Sequence, residues 1–430
     1  MTARLAATDL LVAVMERGRS LEDALAETPS FNALEGRDRA FARALVTAGL
    51  RRLGGISAVL SEFLDRPLPE SAQHARALLY LGAAQLLVLG TPAHAAVSET
   101  VETANQMREA RGFAKLMNAV LRRVARDGKA MLEALPPGAD LPPWLYARWR
   151  ATYGAAAAQI ACALLQEPPL DLSVKEDAPG WAEKLGGMVT PTGSVRLPSL
   201  SLASPTRPPQ ARGGIDTLPG FSDGAWWVQD AAAALPVKLL GDVRGKRVLD
   251  LCAAPGGKTL QLAAAGARVT AVDKSETRLK RLRDNLARTK LEAETICADA
   301  LAFEAEPFDA ILLDAPCTST GTLRRHPDVA WLRRPTDVRA LAALQAELIA
   351  ATTKLLKPGA TLVYAVCSLE PEEGPGVVAD ALQKGWRRAP LANQIPAEFI
   401  SAEGGLRTHP GLWRDIGGLD GFYAARLLRH

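Results

Sequence analysis

Cys317 follows Asp314-Ala315-Pro316 directly behind the apolar run Phe308 to Leu313, and Cys367 closes a second apolar run, Leu362 to Cys367 (LVYAVC). Both runs read as buried strands, so the two thiols come to one edge of a sheet. A buried cysteine is usually an inert small hydrophobe. The alternative is a specific chemistry. Carbon 5 of a pyrimidine is too weak a nucleophile to take a methyl group unaided. A thiolate adding at carbon 6 makes carbon 5 enamine-like, and the carbon 5 proton must then leave so that the thiolate can be expelled. That scheme needs a nucleophile, a hydrogen-bonding group at the N3 edge of the base, and a group for the release step. Cys367, Asp314 and Cys317 supply them, with a thiol of ordinary pKa ~8.5 needing local activation.

A methyl donor needs its own site, and Val248 to Asp273 (VLDLCAAPGGKTLQLAAAGARVTAVD) has the form of one. Val248 to Leu251 has strand character, Ala-Pro-Gly-Gly is a turn, Lys258 to Ala265 resumes as a helix, and Arg268 to Val272 is a second strand. Gly256 and Gly257 let a ligand approach the backbone, and the free N–H groups of the helix start favour an anionic group. Asp273 ends the second strand near the ~20-residue spacing at which an acidic side chain reaches ribose hydroxyls. Neither GxGxxG nor GxxxxGK[ST] is present, which argues against a pyrophosphate and for a nucleoside without one, such as S-adenosylmethionine. The alternative is a glycine turn in an ordinary α/β domain.

Elements that would position these groups follow in order. A charged helix spans Glu276 to Thr289, a strand runs from Ala293 to Ile296 and ends near Asp299, and Phe308 to Leu313 ends in Asp314. In an open, doubly wound parallel sheet, ligands bind along the carboxyl ends of the strands, so Asp273, Asp299 and Asp314 could line one crevice, with Asp299 suited to an adenine amino group. Asp is also a frequent strand-terminating turn residue.

At 430 residues the chain calls for two or three domains. Its 51 Lys+Arg against 47 Asp+Glu, net +4, do not by themselves identify a nucleic-acid partner. Five cysteines without CxxC or His-rich spacing suggest neither a disulfide framework nor a zinc site, so no metal is expected and a reduced, cytoplasmic setting fits. The N-terminus lacks a signal-peptide pattern, and Ala77 to Gly90, the most apolar run, is too short for a bilayer, so no membrane partner is expected.

Residues 2 to about 130 show helical periodicity alone: Ala3 to Arg17, Leu34 to Arg52, Ile56 to Phe63, Ala72 to Gly90, Ala93 to Gln106 and Phe113 to Arg126. On a wheel of about 100° per residue, Arg108, Arg111, Lys115, Arg122, Arg126 and Lys129 share one sector of about 60°, with Leu116, Val120 and Val124 opposite. Such a ridge is either a solvated face or a surface for RNA phosphates. Leu135 to Pro143 (LPPGADLPP) marks a domain boundary. Trp144 to Gln166 returns to helix, and Pro168 to Gly220 reads as a small α+β connector with strands at Leu170 to Val174 and Ser194 to Leu197 and the loop SPTRPPQARGG. Phe221 to Val243 brings an aromatic pair and an amphipathic helix.

The motifs LDLCAAPGGKT, VD at 272–273, DAPC at 314–317, GTLRRHPDVAW from Gly321, YAVCSLEPEEG from Tyr364 and the closing DGFYAARL resemble the Nol1/Nop2/Sun family of S-adenosylmethionine-dependent RNA cytosine-5 methyltransferases. Residues 1 to about 130 are similar to the NusB-like domain, and the fusion resembles bacterial enzymes that methylate a cytosine of 16S ribosomal RNA. The resemblance implies a NusB-like helical RNA-binding domain (1–134), a connector (135–220) and a Rossmann-like methyltransferase domain (221–430). It implies that Cys252, Ala253, Ala254, Pro255, Gly256, Gly257 and Lys258 form the S-adenosylmethionine loop, that Asp273 takes the ribose and Asp299 the adenine, and that Asp314 touches both cofactor and cytosine. Cys367 is then the nucleophile and Cys317 assists release. Arg324, Arg325 and His326 are expected to contact RNA, as are Arg122 and Arg126; a solvated basic turn is the other reading of the first three. The chain departs from the family pattern in having Thr318-Ser319-Thr320-Gly321 for Ser-Gly-Thr-Gly, and Val366 for the Thr before the nucleophile. Rival functions are the same chemistry on transfer RNA, or a NusB-like assembly factor with a non-catalytic second half. A DNA cytosine methyltransferase would instead attack through the Pro-Cys pair, at Cys317.

Overall fold

The computed structural model describes residues 2–198, 214–391 and 395–429, so 204–213 of the Pro/Arg-rich loop lie outside the described residues. The chain forms two compact units, and the first runs to Glu167 and also takes in Leu323–Arg333.

This first unit is helical. Its helices include Ala3–Met15, capped by Thr2, Leu21–Glu27, capped by Ser20, then Gly36–Arg51, Leu53–Ser61, Gln73–Leu87, Ala93–Gln106 and Ala114–Glu133. The short helix at Leu21 escapes a periodicity reading because only Leu21 and Ala24 are buried on it. On Ala114–Glu133 the buried stripe is Met117, Val120, Leu121 and Val124, while Lys115, Arg122, Arg126 and Lys129 are exposed. Leu116, expected on the buried side, is 40% exposed because it lies at the margin of that stripe. Arg108 and Arg111 precede the helix and are exposed as well.

The proline-rich break does not end this unit. Pro143–Tyr153 and Ala156–Leu164 belong to it, separated at Gly154, whose φ of 54° stops what reads in sequence as one continuous helix. Hydrogen bonds fasten Leu323–Arg333 to it. Asp328 Oδ2 accepts from Leu21 N (3.0 Å), Arg51 Nη2 donates to the Arg324 carbonyl (2.9 Å), and Trp331 Nε1 donates to the Leu50 carbonyl (3.1 Å). Trp331 and Leu332 pack on the helical core. Arg324 is thereby 2% exposed, which corrects its expected role as an RNA contact: its guanidinium is enclosed by protein. Arg325 is half-buried and His326 exposed.

The second unit holds two sheets. In the smaller, β1 (Leu170–Val174), β2 (Met188–Val189), β3 (Val195–Leu197) and β4 (Trp226–Val228) pair antiparallel in the order β2-β3-β1-β4. A buried bidentate pair pins it, Arg196 Nε and Nη2 each donating to Asp171 at 2.7 Å. The aromatic pair Trp226-Trp227 lies in β4, and the amphipathic helix expected after it is only the single turn Leu235–Lys238, since Pro236 and Gly241 leave no room for a longer one.

The larger sheet contains β5 (Arg247–Leu251), β6 (Arg268–Asp273), β7 (Glu294–Cys297), β8 (Phe308–Asp314), β9 (Leu356–Val366), β10 (Trp386–Arg388), β11 (Leu406–Arg407) and β12 (Tyr423–Arg429), in the order β10-β12-β9-β8-β5-β6-β7, with β11 on β12. Strands β5 to β9 are parallel, and β12 runs antiparallel to β9. Both faces are covered. Leu249, Ile311, Leu313, Leu362, Tyr364 and Val366 enter one core, and Val248, Leu312, Val363 and Ala365 enter the other. The chain winds from β5 outward to β7, then returns to β8 on the other side of β5. That reversal leaves a crevice beyond the carboxyl ends of β5 and β8.

Candidate active site

The turn after β5 is shaped by two residues at positive φ, Cys252 (60°) and Gly256 (107°). A Cβ on Gly256 would meet the buried Leu282 side chain, so glycine suits both the packing and the backbone conformation there. Asp273, at the end of β6 and 3% exposed, fastens the turn by accepting from Ala254 N (3.1 Å); its other oxygen accepts from Ser275 N (3.0 Å), and Arg278 lies 3.4 Å away. Each carboxylate oxygen retains acceptor capacity for a hydroxyl. Burial, with Asp273 and Asp314 nearby, pushes the Cys252 thiol up to about 12, so it stays neutral. Asp299, two residues past β7, is exposed and accepts from Leu301 N (2.9 Å).

Across the crevice, Lys258 Nζ lies 2.5 Å from Asp314 Oδ2, which the sequence did not reveal. Burial works against the Lys258 ammonium, but the charge and hydrogen bond of Asp314, with Cys367 and Asp250, raise its pKa overall. Asp250 behind it accepts from Thr259 Oγ1 (2.6 Å), and burial pushes it up to about 7.

Cys317 and Cys367 lie just past the ends of the neighbouring strands β8 and β9, and their sulfurs are 3.5 Å apart. Cys317 is buried and Cys367 half-buried. The hydrogen bond between them acts on the two thiols in opposite senses. Its hydrogen bond with Cys367, reinforced by burial, holds the Cys317 thiol well above its ordinary range; the same hydrogen bond lowers the pKa of Cys367, against its burial. Of the two thiols, Cys367 is thus the one whose thiolate is favoured.

One residue that the sequence reading missed secures both cysteine loops. Glu373, fully buried, accepts from Thr318 N (2.8 Å), from Thr318 Oγ1, from Ser368 Oγ (2.5 Å) and from Gln345 Nε2 (3.1 Å). Thr318 follows Cys317 and Ser368 follows Cys367, so a single carboxylate holds the residue next to each thiol. Gln345 also donates to the Pro316 carbonyl (2.9 Å), and the single proton of Tyr364 Oη is shared between Gln345 Oε1 (2.9 Å) and the Glu373 carbonyl (2.5 Å). Glu373 sits in a π-type turn, Glu372–Gly376, a distortion frequent at functional sites. In sequence, Glu373 lies in the run Glu370-Pro371-Glu372-Glu373. Its position immediately behind a strand-end cysteine was the available signal. Among the described residues no cluster of His, Cys, Asp or Glu suits a metal ion, and no helix is long and apolar enough to cross a membrane.

Residues 237–428 match the model of the 16S rRNA methyltransferase RsmB/F family, and residues 1–126 that of the NusB family. The chain is 37% identical to the ribosomal RNA small subunit methyltransferase B of Vibrio cholerae, covering 99% of this chain and 97% of that protein. The Xanthomonas campestris protein of the same name is also 37% identical, covering 100% and 97%. The chain belongs to the RsmB/F family. S-adenosylmethionine is accordingly its methyl donor. Among solved structures, PH0851 superposes with a TM-score of 0.75 at 21% identity over 99% of both chains, a likeness of fold. A methyltransferase homologue from Pyrococcus horikoshii gives 0.55 at 28% identity, covering 72% of this chain and 98% of that one.

The contacts of Asp273 make a measurable claim. Asp273→Ala removes both a ribose acceptor and the bond that shapes the turn at Ala254, and is expected to weaken S-adenosylmethionine binding by ~1–3 kcal/mol. Calorimetry returning the wild-type affinity would contradict the assignment.

Proposed function

We propose that this chain methylates carbon 5 of a cytosine in 16S ribosomal RNA through a covalent adduct on Cys367. The observation that carries the reading is the hydrogen-bonded thiol pair beside the Lys258–Asp314 pair at the sheet's switch point. The names of the curated relatives support 16S RNA as the substrate.

Bound S-adenosylmethionine supplies an electrophilic methyl group; Cys252 to Lys258, Asp273 and Asp299 are suited to hold it, with Asp314 facing both cofactor and base. The Cys367 thiolate forms a bond to carbon 6, and the electron pair of the 5,6 double bond becomes available at carbon 5. Lys258, held by Asp314, is the donor suited to the N3 edge, where negative charge develops, and the Asp314 carboxylate is suited to accept from the neighbouring exocyclic amino group. Once Cys367 is a thioether it no longer accepts from Cys317 or repels its deprotonation. The two influences of Cys367 that raise the Cys317 pKa are thereby lost. Cys317 releases its proton to solvent and then takes the proton from the methylated carbon 5. The carbon 6–sulfur bond breaks toward Cys367, which restores the starting thiol and thiolate, and one proton is released per methyl transferred.

For the RNA, the exposed ridge with Arg122 and Arg126, and separately Arg325 and His326 of the basic turn, are suited to phosphates. Arg126 is partly offset by Asp127 at 2.8 Å.

Two experiments test this reading. Denaturing electrophoresis after incubation with RNA and S-adenosylmethionine should show a slow-migrating, nuclease-sensitive band for Cys317→Ala and none for Cys367→Ala, because loss of Cys317 stalls release and loss of Cys367 prevents addition. The reverse pattern would favour Cys317 as the attacking thiol. Replacing Arg122 and Arg126 by Gln should weaken RNA binding and flatten its salt dependence, as fewer counterions are released; an unchanged affinity and slope would make the ridge only a solvated face.

A further inference from the structure

Ser319 stands where the family pattern has glycine, and it takes a backbone conformation that suits glycine, with φ of 60°. Its neighbours enforce that conformation. Thr318 is bound to Glu373 and lies 3.1 Å from Ser368 Oγ, while Thr320 Oγ1 accepts from Leu369 N (3.0 Å) and donates to Glu370 (3.3 Å). The Ser319 carbonyl accepts from Thr322 N (3.0 Å) and Thr322 Oγ1 (2.9 Å). With the backbone fixed on both sides, the side chain projects between the thiols. Ser319 Oγ lies 3.6 Å from Cys367 Sγ and 3.9 Å from Cys317 Sγ, both within reach of a hydrogen bond to sulfur.

We propose that the Ser319 hydroxyl is a third member of the thiol pair, donating a hydrogen bond to the Cys367 sulfur when that sulfur is a thiolate. In the neutral state the direction reverses: the Cys367 S–H donates to Ser319 Oγ, whose own proton faces the Cys317 carbonyl at 3.5 Å. Rotation of one hydroxyl is all that separates the two states. A thiolate with two donors, Cys317 and Ser319, is better stabilised than one with a single donor. The other groups acting on this pair are Asp314 and Lys258 toward Cys367, of opposite sign, and Glu373 and Tyr364 behind Cys317. None of them supplies a second hydrogen bond to Cys367. A glycine at 319 would leave Cys317 as the donor. The role of Ser319 is thus specific to chains that carry a hydroxyl there, and it rests on Cys367 being the nucleophile.

The test is the pH dependence of iodoacetamide alkylation of Cys367 in the full chain, followed by mass spectrometry of its peptide, for wild type, Ser319→Gly and Ser319→Ala. Both variants lose the hydroxyl, but only glycine is at home at positive φ, so effects transmitted by backbone strain would separate the two. The midpoint of Cys367 alkylation should rise in both by about one pH unit, which is roughly tenfold less thiolate on the acidic side. Methyl transfer by Ser319→Gly should fall at acidic pH and recover as the pH passes the raised midpoint. Wild-type midpoints in both variants, or a shift in Ser319→Ala alone, would overturn the proposal. Methylation retained by Cys367→Ala would instead overturn the nucleophile assignment, and the alkylation midpoints would still decide whether Ser319 bonds that sulfur.

Discussion

A buried carboxylate with four hydrogen bonds sets the geometry on which the rest of the site depends. Glu373 is bound to the residues that follow both cysteines, and it sets the spacing of the sulfurs together with direct bonds between the two loops, from Leu369 N to Thr320 Oγ1 (3.0 Å) and from Gly321 N to the Cys367 carbonyl (3.0 Å). Burying a carboxylate is costly unless its oxygens are satisfied. Burial raises the pKa of Glu373, and hydrogen bonds from Ser368, Thr318 and Gln345 oppose that shift. The same bonds position the chemistry. A sulfur pair at 3.5 Å can hydrogen-bond, which favours the thiolate of Cys367; a looser pair would hold two ordinary thiols.

The sheet explains why such a brace can work. Cys317 and Cys367 follow adjacent parallel strands whose cores are filled on both faces, so the strand ends are rigid and only the short loops beyond them need tying. The loop that carries Cys317 passes, after Thr322, into Leu323–Arg333, which belongs to the helical unit and is held there by Asp328, Trp331 and the carbonyl of Arg324. Within the second unit its beginning is fixed by Glu373, and the left-handed conformation of Ser319 follows directly.

Much of this was legible in the sequence, for reasons of pattern. The alternation of the parallel strands, the helix Glu276–Thr289 and the glycine turn follow from local periodicity and turn chemistry, and the strand-end residues Asp273, Asp314, Cys317 and Cys367 lie along the expected edge. What escaped depends on long-range contact. Arg324 reads as a free cation until Leu323–Arg333 is placed against helices encoded some three hundred residues earlier, as its neighbour Asp328 shows by bonding Leu21 (|i−j| = 307). Glu373 and Gln345 are polar residues in unremarkable company until three separated segments converge on them. The helix expected near Leu235 failed because apolar spacing was read through Pro236 and Gly241, and Gly154 divided another for the same reason.

The most direct measurement separates cofactor binding from methyl transfer in Glu373→Ala. If one carboxylate holds the thiols as a unit, S-adenosylmethionine affinity should stay within about threefold of wild type, since the turn after β5 is untouched. Single-turnover methylation of 16S RNA should fall by about a hundredfold, the equivalent of ~3 kcal/mol of lost positioning. Glu373→Gln, which keeps part of the hydrogen bonding, should fall between the two. Methylation at the wild-type rate by folded Glu373→Ala would contradict the account, because the thiol pair would then not depend on the brace.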